Sequence, residues 1–197
     1  MTETKQSGGS QILKLALVLL AVAAVIAFVL GAVNEITKGP IDQYLTGKRD
    51  EAYAMVMPGE GNAYEEIDAS KYTNDPSNSI TKLSVAKDAS GEAMGYVAET
   101  TFSGAQGMIT MVIGLDNDLT CTGIGITEHS ETSGLGANAA STAEVGVNFR
   151  AQFKGQDETI ALTKAGGKID ALSGATITSR SVTNATLAAI LAVQALG

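Results

Sequence analysis

The chain has 197 residues, enough for one ordinary domain and an additional segment. Its formal net charge of −8 argues against nucleic acid as a partner, because proteins that bind a phosphate backbone need basic surfaces. The chain has one cysteine, Cys121, and one histidine, His129, which are too few for a cysteine-ligated or His-rich metal site. We therefore expect no metal centre. Any redox chemistry must come from an organic cofactor or a partner protein.

The N-terminal part of the chain contains an apolar run that is typical of a membrane-spanning helix. Residues 15–33 comprise 19 positions without a charged side chain. A helix of that length measures roughly 28 Å, close to the hydrocarbon thickness of a bilayer. We therefore predict a transmembrane helix over residues 12–33, embedded in the lipid bilayer. The alternative is a cleaved signal peptide, whose apolar core is shorter, about 7–15 residues, and ends at a small-x-small cleavage site.

The charges on either side of the apolar run predict its orientation. Lys5 and Lys14, against Glu3, precede it, whereas Glu35, Lys38 and Asp42 follow it, which is a small positive bias on the N-terminal side. Positive residues stay on the cytoplasmic side of a membrane. We expect residues 1–11 to form a cytoplasmic tail of a single-pass protein, with the main domain outside the cytoplasmic membrane.

A connecting segment is expected over residues 34–79. Gly39-Pro40 predicts a break, after which Pro40 opens a new helix over residues 41–57. Pro58-Gly59 ends that helix, and residues 59–79, rich in Gly, Asn, Asp and Ser, are interpreted as a loop.

Four β-rich segments then predict two hairpins of a partly antiparallel sheet. Turn residues, Asp88–Gly91 and Asp116–Asp118, separate the members of each pair. The predicted strands are residues 80–86, 95–102, 108–115 and 119–127.

Helical patterns follow the strands. Residues 143–153 predict a short helix, and the apolar, Ala-rich residues 179–196 predict a buried C-terminal helix. Strands in sequence with flanking helices indicate an α+β fold, formed as a single domain by residues 80–197.

Residues 170–182 are the most informative segment chemically. Five hydroxyl side chains lie between Ser173 and Ser181, and the small residues 174–175 let a ligand approach the backbone. Thr178 or Ser179 is expected to cap the helix that follows, whose free backbone N–H groups can bind a phosphate. From the residues alone, this segment is either an ordinary capped helix start or a phosphate site beside a threonine hydroxyl.

The same segment resembles the flavinylation motif of the FMN-binding domain family, Asp-x-x-Ser/Thr-Gly-Ala-Thr. The matching residues are Asp170, Ser173, Gly174, Ala175 and Thr176. The resemblance implies that FMN is attached covalently to Thr176 through a phosphoester bond, placed there by a flavin transferase that consumes FAD. It also implies that Asp170 helps the transferase recognise the site or orients the loop. Thr178 is a further candidate cofactor-binding residue of this segment.

A second segment, residues 128–136, resembles the family's His-x-Glu-Thr-Pro-Gly-Leu-Gly stretch. Ser133 stands where the family usually has proline, so the loop loses some rigidity. We expect the glycines to admit the flavin ring and Leu135 to pack on its face. The candidate cofactor-binding residues here are Glu131, Thr132, Gly134, Leu135 and Gly136. His129 is interpreted as a surface or hydrogen-bonded histidine, and Cys121 as a small buried hydrophobe.

Two subfamilies of the FMN-binding domain family combine a membrane helix with this domain. They are the G subunit of the Rnf complex and the C subunit of the sodium-pumping NADH:quinone reductase. The short chain and residues 177–182 resemble the Rnf G subunit more closely. That resemblance implies an electron-transfer subunit of a membrane ferredoxin:NAD oxidoreductase, coupled to sodium or proton translocation and assembled with other subunits.

We expect neither a catalytic residue nor an NAD site on this chain, since no Gly-x-Gly-x-x-Gly fingerprint lies between a strand and a helix. Two alternatives remain open. One is a C-type quinone-reductase subunit or another extracytoplasmic flavin carrier. The other is a non-redox, membrane-anchored assembly module, which would carry no flavin.

Overall fold

The computed structural model describes residues 8–59, 61–68 and 78–196. A long N-terminal helix precedes a five-stranded antiparallel sheet and further helices, which confirms the predicted α+β class. The chain divides into two units, Met1–Thr46 and Gly47–Gly197, and the second contains the sheet. Most of the predicted cytoplasmic tail and part of the predicted loop 59–79 lie outside the described residues.

The first helix, α1, extends from Gly8 to Val56. By length and composition it is the one helix among the described residues that is apolar enough to cross a membrane. The predicted break at Gly39-Pro40 is wrong, because α1 continues through Pro40. A proline removes its own N–H bond to the preceding turn, but the neighbouring backbone bonds can carry the helix past it.

The sheet is an antiparallel meander in which each strand pairs with its neighbour along the chain. Its strands are β1 Ala63–Ile67, β2 Asn78–Lys87, β3 Ala93–Ser103, β4 Met108–Asp116 and β5 Cys121–His129. All four predicted strands are present. The sequence pattern does not reveal β1, which lies within the predicted loop, because this short edge strand buries none of its residues fully and therefore lacks an apolar alternation.

The remaining helices follow the sheet. A 3₁₀ helix at Gly136–Ala140 leads into α2, Glu144–Ala151, and a second 3₁₀ turn at Thr163–Ala165 precedes α3, Thr176–Gln194. The predicted helices at 143–153 and 179–196 are therefore present, but α3 begins at Thr176 rather than at Ser179.

Helices cover both faces of the sheet. On one face α2 and α3 pack against the strands around Phe102, Phe149 and Ile190. On the other, the last part of α1 buries Ala52 and Val56 against residues of the central strands. Cys121 lies in the first of these cores, as expected of a small hydrophobe, and burial raises the pKa of its thiol to about 12.

Candidate functional site

Three segments that are distant in sequence meet at one cleft. They are the turn between β3 and β4, the loop after β5 and the start of α3. The cleft has a volume of about 370 Å³. Ala105 and Gln106 line it from the turn, Glu131, Thr132, Leu135 and Gly136 from the loop, and residues 174–178 from the helix start. The fold thus brings together the two motifs found in the sequence.

Thr176 is the first residue of α3 and lies half-buried on the wall of the cleft. Its hydroxyl makes no hydrogen bond to any of the described residues. Gly174, two positions earlier, adopts φ +71°, a left-handed conformation that favours glycine. A side chain at this glycine would also meet the Leu135 Cδ2 at 2.9 Å. The turn into α3 therefore leaves the threonine hydroxyl accessible from the cleft.

The start of α3 also carries free backbone donors. Within the described part of the chain, the N–H groups of Thr176, Ile177 and Thr178 have no protein acceptor, and the first helical bond runs from Ser179 N to Ala175 O, at 2.9 Å. Unpaired N–H groups at a helix start, together with the positive end of the helix dipole, form a good phosphate site. This donor set fits a phosphate ester on the Thr176 oxygen.

The predicted capping role of Thr178 or Ser179 is wrong. Ala175 is the capping residue, and no side chain bonds to the helix start there. The two hydroxyls are used elsewhere, since Thr178 Oγ1 donates to Glu131 Oε2 at 2.6 Å and Ser179 Oγ accepts from Leu172 N at 3.0 Å. A serine or threonine hydroxyl can bond to groups other than the N–H groups of its own helix start, and the sequence pattern does not reveal which partner it takes.

Glu131 is a buried carboxylate at the base of the cleft, 8% exposed. Its Oε1 accepts from the backbone N–H groups of Ala105, at 2.8 Å, and Gln106, at 3.1 Å, while its Oε2 accepts from Thr178. The side chain therefore joins all three segments of the cleft.

Two apolar side chains stand exposed at the cleft. Leu135 is 45% exposed and Ile177 is 60% exposed. Exposed aliphatic groups beside a polar helix start suit a ligand that combines a flat apolar ring with a phosphate. Thr132, also exposed, holds the loop through its carbonyl oxygen, which accepts from Leu135 N and Ala137 N, both at 3.2 Å.

Some candidate residues lie outside the cleft wall. Gly134 supplies the positive φ, +78°, that the loop requires, and Ser173 is exposed. Asp170 is held through its backbone, whose N–H donates to Gln152 Oε1 at 2.7 Å and whose carbonyl accepts from Gln152 Nε2 at 3.3 Å. Its carboxylate is exposed, with no hydrogen-bond partner among the described residues.

Sequence reasoning missed three residues of the cleft, Ala105, Gln106 and Ile177. Ile177 follows the motif threonine directly, and this place beside the motif was the available signal. The turn at residues 105–106 carries no distinctive side chain, and only the glycines on either side marked it as a turn.

Other groups that the sequence singled out do not line the cleft. His129 is exposed, and its Nδ1 accepts from Glu131 N at 3.3 Å. A second cavity, of about 410 Å³, is lined by Arg49, Tyr53 and Tyr64 among others, but it contains neither motif.

Comparison with protein families identifies the region that carries the cleft. The family model for the FMN-binding domain matches residues 104–191. This range includes all three segments of the cleft.

Two curated relatives extend the similarity over nearly the whole chain. The G subunit of an ion-translocating oxidoreductase complex from Methanosarcina acetivorans is 34% identical over 193 residues, which cover 96% of this chain and 98% of that protein. The G subunit of a Na(+)-translocating ferredoxin:NAD(+) oxidoreductase complex from Acetobacterium woodii is 30% identical over 187 residues, which cover 88% of this chain and 87% of that protein.

Among solved structures, the crystal structure of NqrC from Shewanella oneidensis has the same fold. The match has a TM-score of 0.52 at 20% identity and covers 76% of this chain and 99% of that one. At this level of identity the similarity concerns the fold alone.

Proposed function

The chain belongs to the family of G subunits of ion-translocating oxidoreductase complexes, and we propose that within such a complex it relays electrons through an FMN attached covalently to Thr176. The observation that carries this proposal is the accessible Thr176 hydroxyl at a helix start whose first three N–H groups are free of protein acceptors in the described structure. A phosphoester at this oxygen would bring a phosphate directly to those donors.

Attachment requires a flavin transferase as a partner. In this reaction the Thr176 oxygen forms a bond to the flavin-side phosphorus of FAD, the pyrophosphate P–O–P bond breaks, AMP leaves and the hydroxyl proton is released. The side chain of Gln152 fixes the backbone of Asp170, whose carboxylate is exposed, and we expect the transferase to recognise this carboxylate.

The residues of the chain bind and orient the cofactor. The N–H groups of residues 176–178 hold the phosphate, and Leu135 and Ile177 shield the apolar ring from water. Gly174 and Gly136 have no side chains, so the cofactor can approach the backbone of the cleft at these two positions. When bound, FMN supplies the electron transfer, and no side chain of this chain is needed as a catalyst.

The apolar run within α1 and the charges that flank it support a membrane anchor with a defined orientation. Residues 12–33 anchor the chain, with residues 1–11 in the cytoplasm and the flavin domain outside. The partners are the other subunits of a ferredoxin:NAD oxidoreductase of the Rnf type, which couples electron flow to sodium or proton translocation. Hydride exchange with NAD takes place on another subunit.

The first test concerns the covalent flavin. Full-length wild-type protein, Thr176→Ala and Thr176→Ser are each co-expressed with an active flavin transferase and separated on a denaturing gel under ultraviolet light. We expect a fluorescent wild-type band, a dark Thr176→Ala band and a weaker band for Thr176→Ser, which retains a hydroxyl. Thr163→Ala is the matched control, since Thr163 is exposed and lies outside the cleft. A dark wild-type band beside a fluorescent control substrate contradicts the proposal and favours the non-redox assembly module.

A second test separates the two redox alternatives. The tagged protein is isolated from its native membrane in mild detergent, and the co-purifying subunits are identified by mass spectrometry. Subunits of a ferredoxin:NAD oxidoreductase support the proposal, whereas subunits of an NADH:quinone reductase replace it by the C-type alternative.

A further inference from the structure

Glu131 stands out among the side chains of the cleft because it is the one that carries a charge. Every other residue that lines the cleft in the described structure is apolar or uncharged. The chain as a whole is acidic, with a formal net charge of −8, so its carboxylates are abundant elsewhere. A single buried carboxylate in an otherwise uncharged site requires a physical explanation.

The contacts of Glu131 explain how it is held. Three donors point at its two oxygens, the N–H groups of Ala105 and Gln106 and the hydroxyl of Thr178. Each of these is a donation to Glu131, which is how an ionised carboxylate interacts. Hydrogen bonds to a charged group are stronger than those between neutral groups.

Two glycines border the Glu131 carboxylate closely. A Cβ added at Gly136 would overlap Glu131 Oε2 and lie 2.7 Å from Thr178 Oγ1. A Cβ added at Gly104 would overlap Glu131 Oε1 and lie 2.7 Å from Ile109 Cδ1. Both glycines therefore border a space that the carboxylate fills, and its position is fixed from two sides.

A fixed negative charge has a predictable effect on a redox group beside it. Reduction adds electrons, and a nearby negative charge makes this addition less favourable. The effect is larger in a partly buried site than in water, because solvent screens the charge less.

We propose that Glu131 is a positioning residue that ties the β3–β4 turn to the first turn of α3 and, as the one charge lining the cleft, lowers the reduction potential of the FMN. This inference rests on the proposed function for its redox part. The tie between the two segments stands independently of the cofactor.

The redox part is tested with Glu131→Gln. Glutamine can accept from the two N–H groups with its Oε1 and donate to the Thr178 oxygen with its Nε2, so the tie is retained while the charge is removed. The matched control is Glu128→Gln, which removes an equal charge from an exposed position outside the cleft. The midpoint potential of each flavinylated full-length protein is measured by spectroelectrochemical titration in detergent.

We expect a shift to more positive potential for Glu131→Gln and no resolved shift for Glu128→Gln. An unchanged potential in Glu131→Gln, or an equal shift in both variants, overturns the redox part. Absence of flavin from the wild-type protein is a different result, because it contradicts the proposed function itself.

The positioning part is tested without flavin, in the Thr176→Ala background. Hydrogen exchange of the Ala105 and Gln106 amides is compared in the Glu131, Glu131→Gln and Glu131→Ala forms. We expect exchange to remain slow with Gln and to accelerate at least several-fold with Ala, with β4 and β5 amides unchanged. Equal exchange in all three forms overturns the positioning role, and exchange that rises throughout the domain overturns it in favour of a general contribution to stability.

Discussion

At the scale of single residues, the turn that presents Thr176 depends on the hydroxyl of Ser179. Ser179 Oγ donates to Ala175 O at 2.9 Å and accepts from Leu172 N at 3.0 Å. Ala175 N closes the same turn on Leu172 O, at 3.0 Å. Ser179 is fully buried, so water cannot replace these contacts.

Ser179→Ala is therefore expected to destabilise the protein. The substitution leaves the Leu172 N–H without its acceptor in a buried site, which costs about 1–3 kcal/mol. Urea unfolding of the full chain in mild detergent, followed by circular dichroism, measures the change. Ser181→Ala is the control, because Ser181 is half-buried two residues further along α3 and its hydroxyl bonds to none of the described residues. Its expected effect is within about 0.5 kcal/mol, and an equal loss in both variants contradicts the role of the Ser179 contacts.

The same residues mark the limit of what the sequence could predict at the site. The small residues and the threonine of the motif were singled out through the resemblance to the FMN-binding domain family, because from the residues alone an ordinary capped helix start remained open. The bond from Thr178 to Glu131 and the bonds of Ser179 within its own turn were not predicted, since serine and threonine are also the usual helix caps. The contact between Glu131 and the turn at Ala105 joins segments about 26 residues apart and leaves no periodic pattern in the sequence.

At the scale of elements, the close packing of α1 on the sheet depends on glycine. Gly114 of β4 and Gly123 of β5 lie directly opposite each other, beneath the last turn of α1. A Cβ at Gly114 would overlap Thr122 Oγ1, which donates to Val56 O, and would lie 2.6 Å from Val56 O and 2.9 Å from Val56 Cβ. A Cβ at Gly123 would lie 3.7 Å from Val56 Cα, an ordinary contact.

These distances predict different outcomes for two otherwise equivalent substitutions. Gly114→Ala forces α1 away from the sheet and is expected to destabilise the protein by about 1–3 kcal/mol. Gly123→Ala is expected to be near neutral. The midpoints of thermal unfolding of the two variants in detergent check the prediction, and a larger loss for Gly123→Ala would show that the helix does not approach β4 in this way.

The elements themselves differed in how well the sequence predicted them. β2 to β5 were recognised because alternating or continuous β-rich runs, separated by turn residues, give each hairpin a local signature in the sequence. β1 lies at the edge of the sheet with a mostly exposed sequence, so it has no such signature. The Gly39-Pro40 pair is typical of a helix end, yet α1 passes through it, because one missing backbone bond does not by itself end a long helix.

At the scale of the whole molecule, the reactivity of the Cys121 thiol shows whether the core between the sheet, α2 and α3 is closed. It is the one cysteine of the chain and is 1% exposed. Burial raises the pKa of its thiol to about 12, so the native protein holds it as the unreactive, protonated form near neutral pH. An unfolded cysteine has a pKa of about 8.5.

Thiol labelling with iodoacetamide at pH 8 is therefore expected to be many-fold slower in the native protein than in urea. The folded state retains the Cys121 proton over the range between these two pKa values, where the unfolded state loses it. The thiol therefore contributes to the free energy of unfolding in full below about pH 8.5, and this contribution is lost as the pH rises towards 12. Native labelling as fast as that in urea would contradict the burial of Cys121.

The order of the strands also has a consequence for the synthesis of the protein. Each strand pairs with its neighbour along the chain, so the sheet can grow hairpin by hairpin as residues emerge, with only short loops to close. α3 follows all five strands and supplies both the last wall of the cleft and the Thr176 hydroxyl. Under the proposed attachment, a chain interrupted before α3 would lack the threonine that accepts the flavin. The presence of the cofactor would thus distinguish chains that have been made and folded through this helix from those that have not.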